Sequence, residues 1–229
     1  MGIKTELEAN VKNVFSGKWT KREGYVIPND TSIGLGNEGV EIEATVLYAD
    51  LSSSTNLVDQ YKPDFAAEIY KTYLYCAAKI IRTEGGEITA YDGDRIMAVF
   101  IGNTKNSSAV RAALKINWVV MNTINPGIVK QYGAKRYAVR QVVGIDTSKL
   151  LVAKTGIRGA NDLVWVGRAA NYAAKLCSLT DYSTFVTNTV YNKLSPGQFK
   201  QFNMWKRFRW TPMNDITIYG TNYIWELPS

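Results

Sequence analysis

Apolar positions along the chain change spacing several times, and each change marks an element. From Glu43, EATVLYAD is almost continuously apolar, which predicts a mostly buried strand. After Ser52, Ser53, Ser54 and Thr55 the spacing lengthens to threes and fours, placing Phe65, Ile69, Tyr73, Cys76, Ala77 and Ile80 on one face of a long amphipathic helix. Gly85 and Gly86 end that helix, and EITAYDGDRIMAVFIG then gives two short β runs around Asp92-Gly93-Asp94, a hairpin signal. A second helix over about residues 105–123 precedes Pro126-Gly127 and a long strand ending near Asp146, with a further apolar run from Leu150 to Ala153. Residues 156–167 read as a Gly-rich connection containing Trp165, and VGRAANYAAKLCSL as a third helix whose alanines allow close packing.

The two ends are less regular. Residues 1–40 hold an apolar-sparse opening helix and a turn-rich stretch, expected to be an N-terminal extension. From about residue 183 short apolar runs alternate with turns, and FNMWKRFRW reads as a half-buried strand. Strand, helix, hairpin, helix, strand is an α+β arrangement of ferredoxin-like βαββαβ type. The expected catalytic or binding domain is therefore 41–229, elaborated toward its C-terminus.

Composition narrows the chemistry. A chain of 229 residues suits one medium domain with a substantial core. Cys76 and Cys177 fall in predicted helices among apolar neighbours, as core thiols of a reduced chain. The polar start and the lack of any bilayer-length apolar stretch point to a soluble, cytoplasmic protein with no membrane partner. A net charge of +7 fits an anionic partner, whether nucleotide or nucleic acid, or a solvated basic surface. The chain has no histidine, which excludes Ser-His-Asp chemistry, an imidazole base and nearly every zinc-hydrolase arrangement. Catalysis here must rest on carboxylates, metals, amides and cations.

Two carboxylates answer that description. Asp50 ends the first strand and Asp94 lies in the turn of the hairpin, so a βαββ unit can bring both to one sheet edge. Paired carboxylates at strand ends suit magnesium or manganese, with a triphosphate completing the shell. Two such ions about 3.5–4 Å apart support an in-line displacement. The residues alone leave the plainer reading open, with Asp94 a tight-turn residue and Asp50 a helix cap.

ATVLYADLSSST, then AYDGDRIMAVF, then VGRAANYAAKL, in that order over about residues 43–180, resembles the motif series of class III nucleotidyl cyclases. The resemblance implies that Asp50 and Asp94 bind two divalent cations, Mn2+ or Mg2+, with the Leu51 carbonyl as a further ligand. It implies that Ser52, Ser53, Ser54 and Thr55 form the turn that cradles the β and γ phosphates. Asn171 matches the asparagine that orients the ribose, and Lys175 occupies the place of the transition-state arginine. Lysine there is a departure, because it loses the planar fork, and Arg168 is an alternative cation. In the family these helix residues act from the second subunit, so the resemblance implies a head-to-tail homodimer with two shared active sites.

Purine-specific members read the base with polar residues at two positions that here are Ala90 and Val164. Neither can make a polar side-chain contact. Tyr48 stands two residues before Asp50, where phenylalanine is common in the family. Its ring and hydroxyl narrow the room for a bicyclic base and offer a hydrogen bond to a smaller one; ordinary core packing is the alternative. Together with the wording of the motifs, this resembles the pyrimidine cyclases of bacterial Pycsar anti-phage systems. Those enzymes make cyclic UMP or cyclic CMP for a separate effector, and overall likeness favours UTP as substrate.

Cytidylate and purine cyclases remain alternatives, as does a silent module that binds a nucleotide without turnover. A nucleic-acid surface built on Trp205, Lys206, Arg207, Phe208, Arg209 and Trp210 is a further rival, disfavoured because the stretch alternates like a strand. Asp92 and Asp162 read as turn or cap residues and Arg95 as a strand-start cation.

Overall fold

The computed structural model describes residues 2–134 and 136–228. In chain order the elements are α1 (Ile3–Ser16), β1 (Thr20–Glu23), β2 (Glu38–Leu51), α2 (Ser54–Gln60), α3 (Pro63–Thr83), β3 (Glu87–Asp92), β4 (Arg95–Phe100) and α4 (Lys105–Val119). A π-helical turn (Val120–Ile124) leads into α5 (Asn125–Tyr132), followed by β5 (Gln141–Ile157), β6 (Ala160–Val166), α6 (Arg168–Leu176), β7 (Thr184–Thr187), α7 (Asn188–Asn192), α8 (Pro196–Phe199), β8 (Lys206–Trp210) and β9 (Ile216–Thr221). They divide into two compact units, Met1–Glu43 with Lys149–Gly167, and Ala44–Ser148 with Arg168–Ser229.

The larger unit holds a sheet in the order β3-β4-β2-β5-β7-β9-β8. Side chains alternate across β2, so Leu47, Ala49 and Leu51 enter the main core while Tyr48 and Asp50 share the other face. The helical spacing of α3 works as the sequence implied: Phe65, Ile69, Tyr73, Ala77 and Ile80 are buried, and they pack with alanines of α4 in the same cluster. Glu84, just beyond α3, ties it to α4 through ion pairs to Arg111 and Lys115, each at 2.6 Å. A second cluster joins Val142, Leu176, Phe185, Trp210 and Ile218. It takes in Phe208 and Trp210 of the FNMWKRFRW segment, whose strand Lys206–Trp210 pairs antiparallel with β9, while Met204 and Trp205 join the main core.

In the smaller unit β1 runs parallel to the start of β2, and β6 is antiparallel to the end of β5. Helix α1 buries none of its residues.

Three expectations differ from the structure. The apolar run at Leu150 continues the strand through Asp146 instead of starting another; Thr147 donates to the Ala44 carbonyl and Thr187 to Asp146 Oδ1, so these polar groups are met from neighbouring elements, while Asp146 Oδ2 has no hydrogen-bond donor among the described residues. The stretch read as a connection is a hairpin strand, with Arg158-Gly159 as its tip and Gly159 at φ 86°. Pro126 does not end the second helical region. It sits in the first turn of α5, directly after the π-helical turn Val120–Ile124, in a helical run that continues through it.

Candidate active site

Strand register builds the site. β2 and β4 are antiparallel with Ala49 opposite Ile96 and Tyr48 opposite Met97. Continuing that register sets Asp50 opposite Arg95, one residue after Asp94, so the two aspartates meet at one sheet edge. Their charges interact: burial first, and then Asp94, push the Asp50 carboxyl up to about 6, while Arg95 pulls the other way. One Asp94 oxygen, Oδ2, is buried with no hydrogen-bond donor among the described residues. A buried, unpaired carboxylate oxygen beside a second carboxylate is the donor set of a hard cation. No group of three or more His, Cys, Asp or Glu side chains suited to a metal occurs among the described residues.

The turn after Asp50 is strained in a way that shapes it. Ser53 is left-handed at φ 63°, ψ 33°, which few residues other than glycine adopt. The Ser52 N–H is engaged by the Arg140 carbonyl at 2.9 Å, whereas Ser54 and Thr55 open α2, where no preceding turn supplies an acceptor. Beside Ser52 and Ser53 lies an open cavity of about 440 Å³, also lined by Asn56, Tyr61, Arg136 and Arg140. Arg136 is held over the rings of Tyr61 and Phe65 at 4.9 and 5.2 Å.

Tyr48 is half-buried on the same face as Asp50, and Arg95 lies over its ring at 5.4 Å while pairing with Asp92 at 2.7 Å. Ala90 pairs with Met97, which pairs with Tyr48, so the three form one row across β3, β4 and β2. Val164 lies on β6 in the smaller unit, opposite Ala153.

Asn171 and Lys175 are exposed, four residues apart on one face of α6, while Ala169, Ala170, Ala173 and Leu176 are buried on the other. Lys175 Nζ lies 3.5 Å from the Met213 sulfur and is not among the charges acting on Asp50. One chain thus gathers the carboxylates, the serine turn and Tyr48, and presents the asparagine and lysine outward. Arg168 is committed elsewhere, to Asp146. Asp162 accepts from the Leu163 N–H within β6 and caps no helix.

Comparison with known proteins bears on family and fold. The chain is 52% identical over 231 residues to a uridylate cyclase of Xanthomonas perforans, covering 99% of this chain and 100% of the relative. A uridylate cyclase of Burkholderia cepacia is 50% identical over 232 residues, covering 99% and 100%, and one of Rhodovulum sp. (strain MB263) is 34% identical over 238 residues, covering 100% and 99%. The chain belongs to the uridylate cyclase family. No family model matches it. Among solved structures, a bacterial light-regulated adenylyl cyclase superposes with TM-score 0.70 at 20% identity, over 82% of this chain and 53% of the other. A guanylyl cyclase does so with TM-score 0.70 at 19% identity, over 82% and 95%. The fold is that of class III cyclase catalytic domains.

In this member of the uridylate cyclase family, several side chains beside the site went unread in the sequence. Tyr70 of α3 lies near Ser54, and its hydroxyl is pushed up by burial and by Asp94. Tyr73 is fully buried with its hydroxyl unpartnered among the described residues, and it feels both aspartates. The i, i+3 spacing marks both only as core positions. Arg136 and Arg140 had a signal, the basic run before β5, but only the fold brings that run beside Ser52.

Proposed function

We propose that this protein converts UTP to 3′,5′-cyclic UMP and pyrophosphate. One observation carries the reading: Asp50 and Asp94 converge at a sheet edge with a buried carboxylate oxygen left unpaired, next to a strained serine turn. Asp50, Asp94 and the Leu51 carbonyl would hold two divalent ions, Mg2+ or Mn2+. Bound there, such ions supply Lewis acidity to the attacking 3′-oxygen and to the departing pyrophosphate. Ser52 to Thr55 receive the β and γ phosphates, with Arg136 and Arg140 adding positive charge beside them. The ribose 3′-oxygen bonds the α-phosphorus as the bond to the β-phosphate breaks, and the hydroxyl proton passes to water.

Asn171 orients the ribose, and Lys175 offsets charge developing on the phosphate, each from the second copy of a head-to-tail homodimer. Their exposure on α6 supports that division of labour. Tyr48, held under Arg95, limits the base to one ring, and Ala90 and Val164 leave a purine without polar readers. Residues 41–229 form the catalytic domain, elaborated from about residue 183, behind an N-terminal extension at 1–40. No described helix is long and apolar enough to cross a membrane. The product acts in the cytoplasm as a second messenger of antiviral, anti-phage defence on a separate cyclic-nucleotide-activated effector; likeness to the Pycsar cyclases supports this role.

Incubation with ATP, GTP, CTP and UTP separately, with manganese, followed by mass identification of products, tests the assignment. Cyclic UMP is expected. Cyclic CMP or a purine product overturns the base assignment, and absence of any cyclic product overturns the cyclase.

A further inference from the structure

Helix α6 takes little of its orientation from large apolar side chains. It is short, from Arg168 to Leu176, and its buried face is three alanines and one leucine. Such small side chains leave the helix free to roll or slide by a fraction of a turn at small cost. Yet it carries Asn171 and Lys175, whose work requires placement to within about half an ångström.

Its first turn is nailed to β5 by polar contacts. Arg168 Nε lies 3.0 Å from Asp146 Oδ2 as an ion pair without hydrogen-bond alignment, and its Nη2 shares its two hydrogens among Asp146 Oδ1 at 3.2 Å, the Thr147 carbonyl at 2.8 Å and Thr189 Oγ1 at 3.1 Å. The Ala169 N–H donates to Ser148 Oγ at 3.0 Å. Asp146 is fully buried and also accepts from Thr187 Oγ1. A carboxylate so placed is costly unless paired, so it holds Arg168, and with it the helix start, in one position. Arg168 also lies over the ring of Tyr172 at 5.5 Å, and Tyr172 packs edge-on against Trp210 at 5.7 Å. Lower down, Gly144 of β5 lets the helix sit directly on the strand: a Cβ there would fall 2.1 Å from the Ala173 carbonyl oxygen.

We infer that Asp146 and Arg168 are positioning residues, a clamp anchored on the buried carboxylate that sets the roll of α6 and so aims Asn171 and Lys175 at the active site completed by the second copy. Arg168 acts through the helix and touches no substrate. This rests on the shared-site reading above.

The test is complementation between variants. Arg168→Met should lower kcat about 10–100-fold while KM for UTP stays within about threefold, because misplacement costs transition-state contacts more than binding. Arg168→Lys, which keeps the charge but loses the two-pronged contact, should recover part of the loss. Mixed with Asp50→Ala, Arg168→Met should regain about a quarter of wild-type turnover per chain, since half of randomly paired dimers are mixed and each has one intact site. If Arg168→Met does not fold, the pair Asp146→Leu with Arg168→Met removes the buried charge and carries the same test. Unchanged kcat, or a mixture no more active than its components, overturns the clamp. A parallel mixture of Asp50→Ala with Lys175→Ala separates the two ideas: if it also fails, the shared-site reading falls; if it succeeds alone, only the clamp falls.

Discussion

Asp50 is the residue at which stability and activity oppose one another. Its carboxyl is pushed from 3.8 up to about 6, so the folded apo protein holds a proton that the unfolded chain releases more readily. The contribution of this group to stability is therefore full below about pH 4 and falls as pH rises to about 6. In chelator, the wild-type thermal midpoint should decline across that window, whereas Asp50→Asn should show less decline and melt higher at pH 7. That variant, like Asp50→Ala and Asp94→Ala, should make no cyclic product while keeping a native circular-dichroism spectrum. Full activity in either alanine variant would refute the metal pair. Ser53 offers a second test. Its left-handed backbone costs about 1 kcal/mol that glycine would not incur, so Ser53→Gly should raise urea-unfolding stability by about that amount. If the turn works through backbone amides, the KM for UTP should change little.

Among the elements, α3 is both the main wall of the core and the floor of the site, through Tyr70 and Tyr73. Its C-terminal end depends on Glu84, whose carboxyl burial would push up but which hydrogen bonds from Lys115 and Arg111 hold below the ordinary range. Glu84→Ala leaves two half-buried cations unpaired and should cost about 3 kcal/mol, read as a lower urea midpoint at unchanged m-value.

Much of this level was legible in the sequence. A period of three and four fixes which side of α3 is buried, and DGD marks the hairpin that carries Asp94. What stayed hidden depended on groups far apart in sequence. Asp146 and Thr147 read as the end of a strand because their partners, Ala44, Thr187 and Arg168, come from other elements. β6 was missed because an exposed edge strand with Asn161 and Asp162 lacks the apolar alternation that betrays a strand. Arg168 as a cation was visible; its commitment to Asp146 was not.

For the molecule as a whole, the decisive fact is what one chain presents outward. Asn171 and Lys175 are exposed, and the carboxylates sit on a different element; on the shared-site proposal a lone protomer lacks part of the chemistry. Specific activity should fall on dilution in step with the dimer fraction measured by sedimentation; activity that stays constant below the dissociation concentration would refute the shared site. With 27 Lys and Arg against 20 Asp and Glu, the chain should also draw in its anionic substrate less well as salt screens the field.

Gly144 bears on which positions around α6 can be altered. Any side chain there lands against the backbone of Ala173, so every replacement lifts α6 off its strand. Asn171 and Lys175, standing free on the far side, can be exchanged without disturbing what lies beneath. The position with no side chain thus holds the seat of the helix, while Asn171 and Lys175 can be varied one at a time to probe the proposed reaction without unseating it.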